Sequence, residues 1–231
     1  ERGWTVLSEQ MAQSTVWVDV SSSMGRLEHF TCRYVNSVDL RDPADRSAFT
    51  RAFQPAVVRG WLNVDAYYNM SDGTYHYEHL YGMLDRLQSL GTHIMLNVKL
   101  RTRPGFDDMF QAIESGSFSL DRFRDVLTAG LLHYKQRYPS LRYIEALNEY
   151  DLVESERNGL SVPYYEYYKA FYAAVNSVNE RLQPDDTPLL LGGPVTWRLY
   201  GNDFRIYHWP NGSNLLEEFL DAYAADPNPR K

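Results

Sequence analysis

An asparagine and a glutamate stand side by side where an apolar run gives out, in Arg142-Tyr143-Ile144-Glu145-Ala146-Leu147-Asn148-Glu149-Tyr150-Asp151. A carboxyl group can give or take a proton, and an amide can hold a polar ligand by hydrogen bonds. At the C-terminal end of a parallel strand such a pair sits at the mouth of a barrel or sheet, where chemistry gathers. Arg59 is conspicuous in a different way, because Ala56-Val57-Val58-Arg59-Gly60-Trp61-Leu62 is otherwise apolar. An arginine inside a buried strand needs a carboxylate partner, since leaving it unpaired costs several kcal/mol. Glu145 shares strand parity with Glu149 and reads as a structural partner for Arg59 or another buried group. Trp61, Asn97 and Trp197 also fall at strand ends, where each could line a ligand subsite or simply pack the core or anchor a loop.

Other chemistries find little support. His76 and His79 are three apart near a helix start, without the glutamate spacing of a zinc helix, and read as exposed. Gly192-Gly193-Pro194 lacks the Lys-Ser/Thr of a phosphate loop, and no Gly-x-Gly-x-x-Gly follows the first strand. The single cysteine, Cys32, excludes an internal disulfide and a cysteine metal cluster. A formal net charge of −7 with scattered basic residues argues against a nucleic-acid partner. The densest basic patch, Lys99-Leu100-Arg101-Thr102-Arg103, reads as the loop after a strand. No run is long and apolar enough to span a bilayer, and no signal peptide is visible at Glu1. A chain that opens on Glu-Arg-Gly is expected to have been trimmed or processed.

The elements that would position these residues alternate along the chain. Residues 1–28 read as an N-terminal extension with one extra strand, Thr15–Val20, and a turn at Ser21–Gly25. Residues 29–36 are the first core strand, and Asp42-Pro43 opens a helix running to about Phe53. The second strand is 56–62, followed by a helix at 75–90 with Leu80, Met83, Leu84 and Leu87 at helical spacing and Gly91 at its end. The third strand, 92–98, leads into a loop at 99–118. A helix at 119–138 then buries Phe123, Val126, Leu127, Leu131 and Tyr134. The fourth strand carries Asn148-Glu149, the tyrosine-rich helix 163–183 follows, and 188–194 is the fifth strand and its turn. A long aromatic loop holding Trp197 precedes a last helix at 213–225. The βα period of roughly 40 residues matches one βα unit. Five units with near-continuous apolar strands predict an α/β fold of the (β/α)8 TIM-barrel kind. Residues 29–231 would then be its N-terminal portion, since a full barrel takes eight strands in about 250 residues.

With the units in order, the motifs resemble those of a known group. Glu145-Ala146-Leu147-Asn148-Glu149 resembles the Glu-x-x-Asn-Glu segment on strand four of clan A retaining glycoside hydrolases. The likeness is greatest to family 39, which includes β-xylosidases and α-L-iduronidases. Val58-Arg59-Gly60 on strand two, Leu191-Gly192-Gly193-Pro194 on strand five and Leu84-Asp85-Arg86-Leu87-Gln88-Ser89-Leu90-Gly91 before strand three fit as well. Two positions depart from the pattern. Tyr150 stands where the family commonly has proline, and Leu147 where it has tryptophan, which reshapes the loop and the inner wall.

The resemblance implies hydrolysis of a glycosidic bond through a covalent glycosyl-enzyme intermediate. Glu149 would be the general acid/base, Asn148 would bind the hydroxyl next to the reacting carbon, and Arg59 would orient the nucleophile. It implies a carbohydrate substrate, no metal and no organic cofactor. The 18 tyrosines offer flat faces suited to sugar rings, although most are expected to pack the core. Trp61, Asn97 and Trp197 would be candidates for a sugar subsite. The family's nucleophile, a glutamate at the end of strand seven, is expected beyond Lys231, so this chain would hold one half of the catalytic pair. The other reading is a non-catalytic glycan-binding protein on a barrel scaffold. Secretion is suggested over a cytoplasmic location only by analogy with polysaccharide-degrading enzymes.

Overall fold

Val57–Asn63 alternates residues that face helices with residues that face away, and the rest of the sheet is built on it. The computed structural model describes residues 2–6, 14–18, 34–35, 55–89, 91–99, 109–151, 161–196 and 214–227. They fall in two units, Glu1–Cys32 and Arg33–Lys231. In the first, β1 (Arg2–Val6) and β2 (Ser14–Val18) form an antiparallel hairpin, with Arg2 opposite Val18 and Val6 opposite Ser14. The expected extra strand is β2. Its partner β1 went unpredicted, because Arg-Gly-Trp-Thr-Val carries too few alternating apolar residues to stand out.

The second unit holds a five-stranded sheet of β3 (Tyr34–Val35), β4 (Val57–Asn63), β5 (His93–Lys99), β6 (Leu141–Glu145) and β7 (Leu190–Gly192). Every neighbouring pair is parallel, and spatial order equals sequence order. A doubly wound sheet reverses its strand order at a switch point, whereas a barrel adds each strand beside the last. The winding is therefore that of a (β/α) barrel, with five strands described.

One face of the sheet is built for helices. Val58, Leu62, Ile94, Leu96, Val98 and Ile144 are fully buried there. Gly60 belongs to that face, because a Cβ on it would come within 3.1 Å of the Leu87 side chain. Leu87 lies on α1 (Tyr81–Ser89), which a 3-10 turn at Tyr77–Leu80 precedes and Gly91, at φ +68°, ends. The short helix α2 (Met109–Glu114) occupies a stretch expected to be loop. Its six residues are too few to show a helical period, yet Met109, Phe110 and Ile113 are buried.

Helix α3 (Leu120–Arg137) starts at Ser119, whose Oγ accepts from Arg122 N–H at 3.2 Å, and carries Lys135 and Arg137 in its last turn. All five side chains expected to be buried on it are buried. Helix α4 (Tyr164–Asn179) packs on it through Phe123, whose ring contacts Tyr167 and Phe171. Each such ring, taken fully out of water, is worth about 1.5–3 kcal/mol. Helix α5 (Leu215–Ala225) is capped by Asn214, whose Oδ1 accepts from Glu217 N–H at 3.0 Å.

One expected strand comes out shorter. β7 has three residues because the Asn179 side chain takes the backbone just before it, donating to Leu189 O at 2.9 Å and accepting from Leu189 N–H at 2.8 Å. Of the expected first core strand, 29–36, only Tyr34–Val35 is described, and the expected helix over 42–53 lies outside the described residues. Among the described residues no helix is long and apolar enough to cross a membrane.

Candidate active site

Register brings the chemistry-bearing residues together. Trp61 on β4 lies opposite Asn97 on β5, Asn97 opposite Glu145 on β6, and Glu145 opposite Gly192 on β7. This row crosses the sheet near the C-terminal strand ends, on the face turned away from α1. Arg59 sits one row lower, opposite Met95 and on the same face as Trp61. An irregularity between β5 and β6 keeps the row in step. Ile94 pairs with Leu141 and Met95 with Tyr143, so Arg142 is an extra residue and Glu145 turns to the Asn97 side.

Two side chains bond Arg59, and a third braces one of them. Arg59 Nε donates to Glu145 Oε2 at 2.5 Å, and its Nη2 to Asn148 Oδ1 at 3.3 Å. Asn97 Nδ2 donates to the same Glu145 oxygen at 2.9 Å. Arg59 is 7% exposed and Asn97 is fully buried, so the ion pair works with little competition from water. Glu145 is thus a carboxylate partner of the kind Arg59 required. The ring of Trp61 lies beneath two cations, with Arg59 Cζ at 4.6 Å and Lys99 Nζ at 3.3 Å from its centre.

Beyond Glu145 the backbone leaves the strand in an uncommon way. Leu147 has φ +54° and Glu149 has φ +51°, both left-handed and neither a glycine. Each such residue costs about 1–2 kcal/mol, and that kind of strain gathers at functional sites. The surroundings hold it in place. Ala146 N–H donates to Gly192 O at 2.9 Å, Tyr164 OH donates to Ala146 O at 2.8 Å, and Asn148 forms a parallel bridge with Val195. Leu147 is buried, whereas Asn148 and Glu149 are half-buried and so reachable. The Tyr164 hydroxyl gives up its donor to that carbonyl. Burial, followed by the neighbouring Tyr168 and Glu145, keeps its pKa far above the ordinary tyrosine range.

Tyr150 is buried and donates its hydroxyl to Val162 O. Glu114 at the end of α2 holds the same return point. It accepts from Ser161 N–H at 2.6 Å, Val162 N–H at 3.2 Å and Tyr167 OH at 2.8 Å. The two described ends of the segment after β6 are therefore pinned to each other and to α2.

No family model matches the sequence, and no curated protein matches it either. Among solved structures the chain is similar to a β-1,4-D-mannanase from Cryptopygus antarcticus, with 14% identity over 70% of this chain and 52% of that one, at a TM-score of 0.44. It is similar to an exo-β-1,4-mannosidase from Opitutaceae bacterium strain TAV5, with 14% identity over 68% and 30% and a TM-score of 0.47. A third is a β-mannanase from Streptomyces thermolilacinus, with 16% identity over 87% and 57% and a TM-score of 0.42. The chain spans between 30% and 57% of the length of these three proteins.

Of the six residues expected at the site, Arg59, Trp61, Asn97 and Asn148 are brought together with Glu145, and Glu149 follows directly on the same strained turn. Trp197 lies outside the described residues. Asn97 is buried and serves Glu145, so it touches the site through that carboxylate. His76 and His79 are exposed, and their rings stack on each other 5.6 Å apart. Among the described residues no group of three His, Cys, Asp or Glu is placed to hold a metal. A groove of about 420 Å³ lies elsewhere, between α3 and α4, with Arg124, Thr128, Ser177 and Arg181 in its wall. Arg124 is already engaged there by Asp121 and Asp125.

Proposed function

We propose that this chain carries the acid/base half of the active site of a retaining glycoside hydrolase of clan A, with family 39 as the nearest likeness in its motifs. The observation that carries the reading is the turn at the end of β6. It presents Asn148 and Glu149 side by side on strained backbone, with the amide of Asn148 fixed on a buried arginine.

In this reading the carboxyl group of Glu149 protonates the glycosidic oxygen as the bond to the anomeric carbon breaks. A second carboxylate attacks that carbon from the opposite face to give the glycosyl-enzyme. Glu149, now a carboxylate, takes a proton from the water that releases the sugar. The two carboxyl groups of such a pair stand about 5–5.5 Å apart. The resemblance assigns the second to a glutamate at the end of strand seven, outside Glu1–Lys231. Asn148 hydrogen-bonds the hydroxyl next to the reacting carbon, and Trp61 stiffens the wall beneath the Arg59 cation. Both catalytic groups are carboxyls, so the chemistry calls on no metal and no organic cofactor.

The test is turnover of a panel of aryl glycosides by the full-length protein. Wild type should release the aglycone, and Glu149→Gln should lower kcat by at least about a hundredfold. Turnover left intact by Glu149→Gln would remove Glu149 from the mechanism. Glycan binding without turnover by wild type would favour the non-catalytic reading.

A further inference from the structure

We infer that Glu145 is a positioning residue: together with Asn97 it fixes the guanidinium of Arg59, and through Arg59 it sets which way the amide of Asn148 faces. The inference rests on the glycosidase reading for its consequence in catalysis, but its geometry stands apart from that reading.

The donors Nε and Nη2 lie along one edge of the planar guanidinium. Here that edge spans the end of β6. Nε takes Glu145 and Nη2 takes Asn148, three residues further on. The spacing of Glu-x-x-Asn is thereby explained. The two intervening residues make the left-handed exit at Leu147, and the arginine bridges what the exit separates. Asn97 holds the outer end of the chain of contacts. It is fully buried on the neighbouring strand, and its Nδ2 donates to the same oxygen, Oε2, that receives Arg59 Nε. Glu145 therefore cannot turn away from Arg59 without also breaking its bond to Asn97.

The consequence falls on Asn148. An amide has one oxygen and one NH2 group, and they face opposite ways. With Oδ1 committed to Arg59, the NH2 group is the end left to meet a ligand, so Asn148 acts there as a donor to a hydroxyl oxygen. Without Glu145 the guanidinium would lose the anchor at Nε, and Asn148 could turn over. A carboxylate that touches no substrate would in this way decide how one sugar hydroxyl is held.

The experiment compares wild type, Glu145→Gln and Asn97→Ser on two substrates. One is an aryl glycoside with the hydroxyl next to the anomeric carbon, and the other is its deoxy analogue without it. The side-chain amide of Asn148 and the Nε–H of Arg59 are followed by 15N NMR in the free proteins. Positioning predicts that Glu145→Gln lowers kcat on the order of tenfold or more for the hydroxylated substrate and much less for the deoxy analogue. KM should move less than kcat. Asn97→Ser should show the same preference more weakly and serves if Glu145→Gln does not fold. Equal losses on both substrates would mean a merely structural ion pair and would overturn the inference. If wild type turned over neither substrate, the glycosidase reading would fall, and the NMR arm alone would decide. Displacement of the Asn148 amide resonance in Glu145→Gln or Asn97→Ser supports positioning, and an unmoved resonance refutes it.

Discussion

His133 shows how strongly its neighbours define a single residue in this protein. Its ring lies flat on Tyr77, with centres 3.9 Å apart, and its Nε2 is 2.7 Å from the Tyr81 hydroxyl. Partial burial, and then the nearby Arg137 cation, lower its pKa from the ordinary value of 6.5. The sign of the linkage follows. Between the lowered folded value and 6.5 the unfolded chain binds more protons, so stability rises with pH across that window and falls as the solution is acidified through it. Thermal melts of wild type and His133→Gln between about pH 5 and 7.5 should therefore diverge, with wild type losing more on acidification. Parallel curves would mean that His133 is freely solvated.

Residues of this kind differ in how legibly the sequence announces them. Arg59 was readable because a cation amid Val, Trp and Leu demands a carboxylate, and Glu145, in parity with Glu149, stood as a partner for it or for another buried group. The left-handed turns at Leu147 and Glu149 were not, since neither residue type favours that conformation. Among the described residues, the bonds that hold the turn, from Tyr164 and to Gly192 and Val195, account for it.

At the scale of elements, the helices are fitted to particular side chains rather than to a general apolar surface. Gly130 in the middle of α3 is the clearest case. A Cβ added there would lie within 2.5 Å of the ring of Tyr67, which is fully buried and also edged by Tyr134. On helix propensity alone, Gly130→Ala should stabilise by about 1 kcal/mol. Overpacking of a ring with nowhere to move costs about 1–3 kcal/mol, so a net loss of about 1 kcal/mol is expected in urea melts. A gain would show that Tyr67 does not pack where α3 passes it. The long helices were legible within a few residues because their apolar period and caps agree, as with Ser119 opening α3. The short elements were not. α2 has too few residues for a period, β1 has too few alternating apolar residues to mark it, and β7 starts late because Asn179 takes the backbone of Leu189 before it.

At the scale of the molecule, the order of strands decides what the site can be. Parallel strands added one beside the next put every C-terminal end on the same rim, so residues from β4, β5 and β6 meet although Arg59 and Asn148 are 89 residues apart in sequence. The alternation of apolar strands and helical stretches made that winding readable, and the absence of a Gly-x-Gly-x-x-Gly removed its chief rival. Which residues share a row was not readable. Register depends on the extra residue at Arg142, and nothing in Leu141-Arg142-Tyr143 declares a bulge.

The central claim is that Glu149 serves as acid/base in a double displacement, and chemical rescue tests it most directly. The variant is Glu149→Ala in the full-length protein. The substrate is a dinitrophenyl glycoside that wild type turns over, whose leaving group departs without acid help. The glycosyl-enzyme should then form, but its release should be slow for want of a base. Added azide should restore turnover and yield a glycosyl azide of the same anomeric configuration as the substrate. If azide leaves the rate of Glu149→Ala unchanged, or if the variant is as active as wild type without it, Glu149 is not the acid/base.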